Sequence, residues 1–215
     1  MTLGSISFNA LELLFFFTYS NLAIVAIYHI LNYGLFDIYG SMDWGSGVYF
    51  YYLSIGILGL VTIILDTIDL IKNRRNDNDF FIFLIHHFLI IICTTMIVFS
   101  SEFKFGAVLY FTELSTPLLL FRDKMKEQKI RGLSFDILSL FFGITFIFCR
   151  LIVAPIPTLY NLVYVVPYNS YYGTMTPTHT LMTFTSLVLL GMNINWGRII
   201  IRNIIKVFNG KDSDR

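Results

Sequence analysis

The sequence predicts an all-α fold, a polytopic membrane bundle of about six transmembrane helices, and three observations predict it. Hydrophobic residues make up 56% of the 215-residue chain, charged residues only 13%, and the mean hydropathy is +0.70, far from the balance of a soluble domain. Apolar runs of roughly 20 residues, the length that crosses a bilayer, recur along the whole chain. Thirteen of the fifteen Lys and Arg residues fall in three segments, 72–79, 122–131 and 197–215. The positive-inside rule puts those segments, and with them both termini, in the cytosol, which requires an even number of spans.

A single domain over 1–215 is expected, with a core of about 10–196 and a basic tail from 197. The formal net charge of +1 gives no sign of a nucleic-acid partner. Cys93 and Cys149 lie in apolar runs and suggest no disulfide framework. The first apolar run lacks a basic flank and a small-residue cleavage site, so it reads as a retained helix.

The first span is expected over about 10–31, with Glu12 near its start and His29 at the membrane interface. A polar loop with Asp37, Asp43 and Trp44 follows. The second span, about 48–71, opens with Tyr49, Tyr51 and Tyr52, which suit the headgroup level. A tight charged turn, 72–79, leads into the third span, 80–99, its Asp and Asn residues able to cap the next helix. After Ser100–Lys104, the fourth span runs from about 105 to 121. Pro117 removes an intrahelical hydrogen bond there and kinks or breaks the helix, so this span is irregular or re-entrant. Basic residues 122–131 precede a fifth span, about 134–153, which Asp136 is expected to cap. Pro155, Pro157, Pro167 and Pro177 then read as the punctuation of a tyrosine-rich loop on the membrane surface, 154–176. The sixth span is about 178–196. In the tail, Arg198, Arg202 and Lys206 recur every fourth residue beside Ile200, Ile201, Ile204 and Ile205. That pattern fits either a basic amphipathic helix on an anionic leaflet, ending at Gly210, or an extension of the sixth span.

Ionisable residues at membrane depth are costly and point to function. His86 and His87 lie in the third span, Asp66 near the end of the second, and Glu113 in the fourth. The second and third spans form a hairpin about residue 75, so at roughly 1.5 Å per residue Asp66, His86 and His87 sit level, some 10–15 Å from the cytosolic helix ends. Glu113 lies at a similar depth, nine residues before Arg122. These four are expected to meet in one polar pocket, with Glu113 alternatively pairing with Arg122 across the kink. Adjacent histidines point about 100° apart, so only one need face the site. Arg150 and His179 read as level with each other near the opposite face, away from that pocket, Arg150 snorkelling outward.

A neutral histidine held by a carboxylate serves as general base or nucleophile, which suits acyl transfer to an amine or hydroxyl. No metal is expected: adjacent histidines do not readily ligate one ion, and four histidines are too few for a di-iron lipid hydroxylase. Arg122, Lys124, Lys126 and Lys129 stand where an anionic headgroup would arrive.

Taken in order, Asp66, His86-His87, Glu113-Leu-Ser115-Thr116-Pro117, Arg150 and Asn193-Ile-Asn-Trp196 resemble the TLC-domain proteins over essentially the whole chain. That family includes the ceramide synthases, the translocating-chain-associating membrane proteins and the ceroid-lipofuscinosis cargo receptor. The resemblance implies an endoplasmic-reticulum membrane protein of lipid homeostasis, partnered by membrane lipids. In the synthases the histidine pair is implicated in moving an acyl group from acyl-CoA to a sphingoid base, a role that would fall here on His86 and His87 with Asp66 and Glu113. Acyl-CoA would be a co-substrate, no other cofactor is implied, and Arg122, Ser115, Arg150 and Asn193 would help hold lipid or acyl-CoA. The synthases carry His, Asp and Asp where this chain has Thr112, Glu113 and Thr116. The Glu-x-Ser-Thr-Pro form is similar to the small TLC-only proteins, which leaves a non-catalytic lipid-binding, regulatory or cargo-receptor role as the alternative.

Overall fold

The computed structural model describes residues 6–34, 47–73, 79–99 and 103–208. The loop with Asp37, Asp43 and Trp44, the turn at 74–78, Ser100–Glu102 and the stop at Gly210 lie outside the described residues. All regular structure among the described residues is helical: α1 (Ala10–Tyr33), α2 (Gly47–Asn73), α3 (Phe80–Phe99), α4 (Phe103–Leu109), a 3-10 turn (Tyr110–Ser115), α5 (Thr116–Glu127), α6 (Leu133–Phe146), α7 (Pro155–Tyr160), α8 (Val166–Tyr171) and α9 (Pro177–Phe208). Among the described residues five helices are long and apolar enough to cross a membrane, the run Leu133–Tyr171 counting as one. The broken element α4 to α5, which is not among those five, stands where the sixth crossing is expected between α3 and α6.

The helix starts and stops follow local chemistry. Asn9 caps α1 reciprocally: its Oδ1 accepts from Glu12 N at 2.9 Å, and its own N–H donates to Glu12 Oε2 at 2.8 Å, a capping box. Lys129 takes the left-handed conformation (φ 57°) that closes α5, with Ile130 N–H donating to Met125 O at 2.9 Å, the pattern of a Schellman end. Gly132, rather than Asp136, is the N-cap of α6; Asp136 lies within its first turn and makes no capping bond.

One expectation is corrected by the stretch after Val153. It is not a surface loop: the helix continues to Tyr171, a 39-residue run from Leu133. Two π-helical stretches, Ile147–Val153 and Asn161–Val165, carry the chain across its prolines. Ala154 N–H reaches back five residues to Cys149 O at 3.0 Å, and α7 and α8 then each restart with Pro in the first turn. Proline is tolerated there because its missing N–H would be unpaired anyway. Only residues 172–176 are left to turn the chain, helped by Gly173 at φ 66°. The tail is likewise continuous with the sixth span, as α9 runs unbroken for 32 residues. Gly197 fits within it by close approach, since a Cβ there would meet the Leu151 side chain.

The core gathers around α1. Phe15, Tyr19, Leu22, Val25 and Ala26 pack against Tyr52 and Ile55 of α2, Ile97 of α3 and Phe105, Val108 and Tyr110 of the broken element. Outward, Phe17, Phe81, Phe88, Phe141 and Phe184 are exposed, an apolar shell suited to lipid. Polar residues on the outer face satisfy themselves locally. Ser20, Asn21, Asn32 and Ser54 each donate to the carbonyl four residues back at 2.7–2.8 Å, as backbone and side chain must do where no water reaches. His29, near the end of α1, is fully buried between Tyr33 and Tyr52.

Candidate functional site

The break before Pro117 builds one half of the polar site. In an α-helix the Thr112 carbonyl would accept from Thr116 N–H, but that N–H donates instead to Glu113 O, closing a 3-10 turn. Thr112 O, released from Thr116 N–H, accepts from Ser115 Oγ at 3.1 Å and from Arg150 Nε at 3.2 Å. Arg150 sits in the π-helical stretch of the long helix, a feature that often marks functional sites. Its other bonds run from Nε to Ser115 Oγ (3.1 Å), from Nη1 to Asn193 Oδ1 (3.3 Å) and from Nη2 to Thr116 Oγ1 (3.1 Å). Nη2 also lies 3.8 Å from Glu113 Oε2. Thr116 Oγ1 donates in turn to Glu113 Oε2 at 2.7 Å, so a hydroxyl stands between the carboxylate and the guanidinium.

Arg150 is therefore buried at the centre, not snorkelling near the opposite face. The reason is the length of its helix: a span ending at 153 would leave Arg150 at its edge, whereas the run to Tyr171 puts it near the middle. Glu113 pairs with Arg150 rather than Arg122. Arg122 instead donates to Ser139 Oγ and Asp123 Oδ1, each at 3.2 Å, and lies over the Phe135 ring.

The other half comes from the hairpin of α2 and α3. His87 faces α2 with both ring nitrogens: Nδ1 lies within hydrogen-bond distance of Thr67 Oγ1, at 3.3 Å, and Nε2 lies 3.8 Å from Asp66 Oδ2, an ion-pair distance. Tyr19 OH donates to the same Asp66 oxygen at 3.4 Å. His86 turns towards α9, where its ring meets Trp196 edge-on at 4.8 Å. Its Nδ1 is shut off from solvent without a hydrogen-bond partner.

Both halves border one cavity of about 560 Å³, lined by Asp66, His86, His87, Glu113, Ser115 and Arg150 at its inner end. That volume is within the range of small-molecule sites. The cavity runs between Tyr19, Ile63, Leu119, Leu120, Phe146 and Trp196 to a charged mouth at Glu12, Asp123, Lys124 and Glu127. Six carboxylates line it, Glu12, Asp66, Asp69, Glu113, Asp123 and Glu127, against the two cations Lys124 and Arg150. Of the four basic residues expected at the mouth, Lys124 alone borders the cavity. It donates to Glu12 Oε1 at 2.8 Å and Glu127 Oε2 at 3.0 Å, and the bond to Glu12 leads the effects that raise its pKa. Asn193, expected to help hold lipid, borders instead a second cavity of about 50 Å³ beyond His86 and Arg150. His179 is buried elsewhere on α9, where its carbonyl accepts from Thr183 Oγ1.

Tyr19 and Thr67 were not anticipated as site residues. The polar run Thr18-Tyr19-Ser20-Asn21 in the middle of an apolar span was the available signal for the first. Nothing in the sequence singled out Thr67 beyond its place beside Asp66.

Taken together, an apolar outer shell, membrane-length helices and an inward-facing polar cavity define a multi-pass integral membrane protein. The TLC domain matches residues 11–202 of the chain. The chain belongs to the TLC-domain family. Curated proteins and solved structures give no match.

Proposed function

We propose that this TLC-domain protein acts in lipid homeostasis in the endoplasmic reticulum membrane, both termini cytosolic. The large cavity binds a lipid and brings its amine or hydroxyl to an acyl group supplied by acyl-CoA, with His86 or His87 as base or nucleophile. The observation that carries this reading is a lipid-sized cavity in which two histidines, two carboxylates and an arginine converge at membrane depth. Such groups are too expensive in a membrane to be kept without a partner or a task. The acidic excess of the lining favours a neutral or cationic headgroup over an anionic one at the inner end. It also argues against the expectation that basic residues draw an anionic headgroup into the mouth.

The alternative, a lipid binder without chemistry, is favoured by one observation. Glu113 is tied to Thr116 and faces Arg150, so this carboxylate serves an ion pair and is poorly placed as a base. Purified protein given acyl-CoA and a panel of amine- and hydroxyl-bearing lipids distinguishes the two readings. Release of free CoA that His86→Ala or His87→Ala abolishes, with folding intact, supports transfer. The same background rate in wild type and variants leaves the lipid-binding reading.

A further inference from the structure

Four residues, His86, Ile90, Glu113 and Arg150, line both cavities and so form the wall between them. On its far side the smaller cavity of about 50 Å³ is bordered by Thr112, Thr158, Ser186 and Asn193. The wall carries unspent hydrogen-bonding capacity. His86 Nδ1 is buried and has no partner. The bonds of Arg150 to Thr112, Ser115, Asn193 and Thr116 employ only three of the five N–H groups of a guanidinium. Glu113 stands 3.8 Å from that guanidinium, too far for a direct hydrogen bond. A buried polar group left in this state costs about 1–3 kcal/mol. Water removes the cost where a cavity has room and offers two to four polar partners, and this one has both.

We propose that the smaller cavity is an internal water site connecting His86 Nδ1 to the Glu113–Arg150 pair. The two histidines then have different tasks. His87 is oriented by Thr67 and faces Asp66, while His86 Nδ1 takes its hydrogen bond from the water.

The test is radiolytic hydroxyl labelling of the purified protein in detergent, read by mass spectrometry at Leu109, Leu189 and Leu190, which border the smaller cavity alone. Water held there labels these leucines in the wild type. Ser186→Leu, which fills the space, lowers their labelling about threefold or more and leaves Leu119 in the large cavity unchanged. Leu190→Phe fills the same space from another wall, read at Leu109 and Leu189, and serves if Ser186→Leu does not fold. Wild-type labelling at these leucines no higher than at buried Leu22, or labelling that a folded filling variant leaves unchanged, overturns the proposal. No lipid or acyl donor is present, so the outcome is independent of whether the protein catalyses transfer.

Discussion

Arg150 joins the 3-10 turn, α9 and the long helix through a single guanidinium, so its loss is felt as an unpaired charge rather than as a missing contact. Arg150→Met leaves Glu113 buried beside apolar neighbours, and a stability loss of about 3–5 kcal/mol is expected, read by unfolding in detergent. Arg150→Met combined with Glu113→Leu recovers most of that loss, because removing both members of a buried pair is often near neutral. A double variant no more stable than Arg150→Met alone would show that the pair does not act as a unit. Thr67→Val is a smaller change, about 1 kcal/mol from one hydrogen bond, and is expected to loosen His87 without unfolding the bundle. Residue by residue, legibility depended on how far a partner could be placed by counting. Asp66 and His87 lie on the consecutive helices α2 and α3, close to the ends that face each other along the chain, so their common depth followed from the helical rise. Arg150 could not be placed that way, because its depth depends on where its helix ends, and four nearby prolines concealed that end.

At the scale of elements, departures from regular α-helix put the polar groups in place. The 3-10 turn presents the Thr112 carbonyl to Arg150, and the π-helical stretch carries Arg150 itself. Pro117 did signal a break in the fourth span, but Pro155, Pro157 and Pro167 look identical in sequence and end no helix. The difference is set by the i to i+5 bonding before them, which leaves no residue signature. Close packing gives a further test. A Cβ on Gly106 of α4 would meet three side-chain atoms of Ile97 at 2.8 Å or less. Ile97 is β-branched and buried, so it has little freedom to yield. Gly106→Ala is therefore expected to destabilise by about 1–3 kcal/mol, measured as a lowered Tm, and an unchanged Tm would mean α3 and α4 are less closely packed. The opposite sign is expected at Lys129, where glycine relieves a left-handed residue by about 1 kcal/mol.

For the whole molecule, membrane class and helical fold were readable because they follow from composition and charge placement, which survive errors in any single boundary. The cavity was not readable, since its walls come from Tyr19, Leu119, Phe146 and Trp196 on four separate elements. Orientation is tested by cysteine labelling in a Cys93→Ala, Cys149→Ala background. Lys126→Cys is expected to react from the cytosolic side and Tyr171→Cys from the other, and the reverse pattern would refute the positive-inside assignment. The most direct test of a lipid in the cavity uses Trp196, which borders it. With Trp44→Phe removing the other tryptophan, the protein in detergent is titrated with a dibrominated lipid bearing an amine or hydroxyl headgroup. Trp196 fluorescence should fall saturably at about one equivalent, and filling the cavity with Leu119→Phe and Leu120→Phe should abolish that phase. Linear quenching without saturation, the same in both proteins, would mean that lipid reaches Trp196 only from the outer surface and that the cavity holds none.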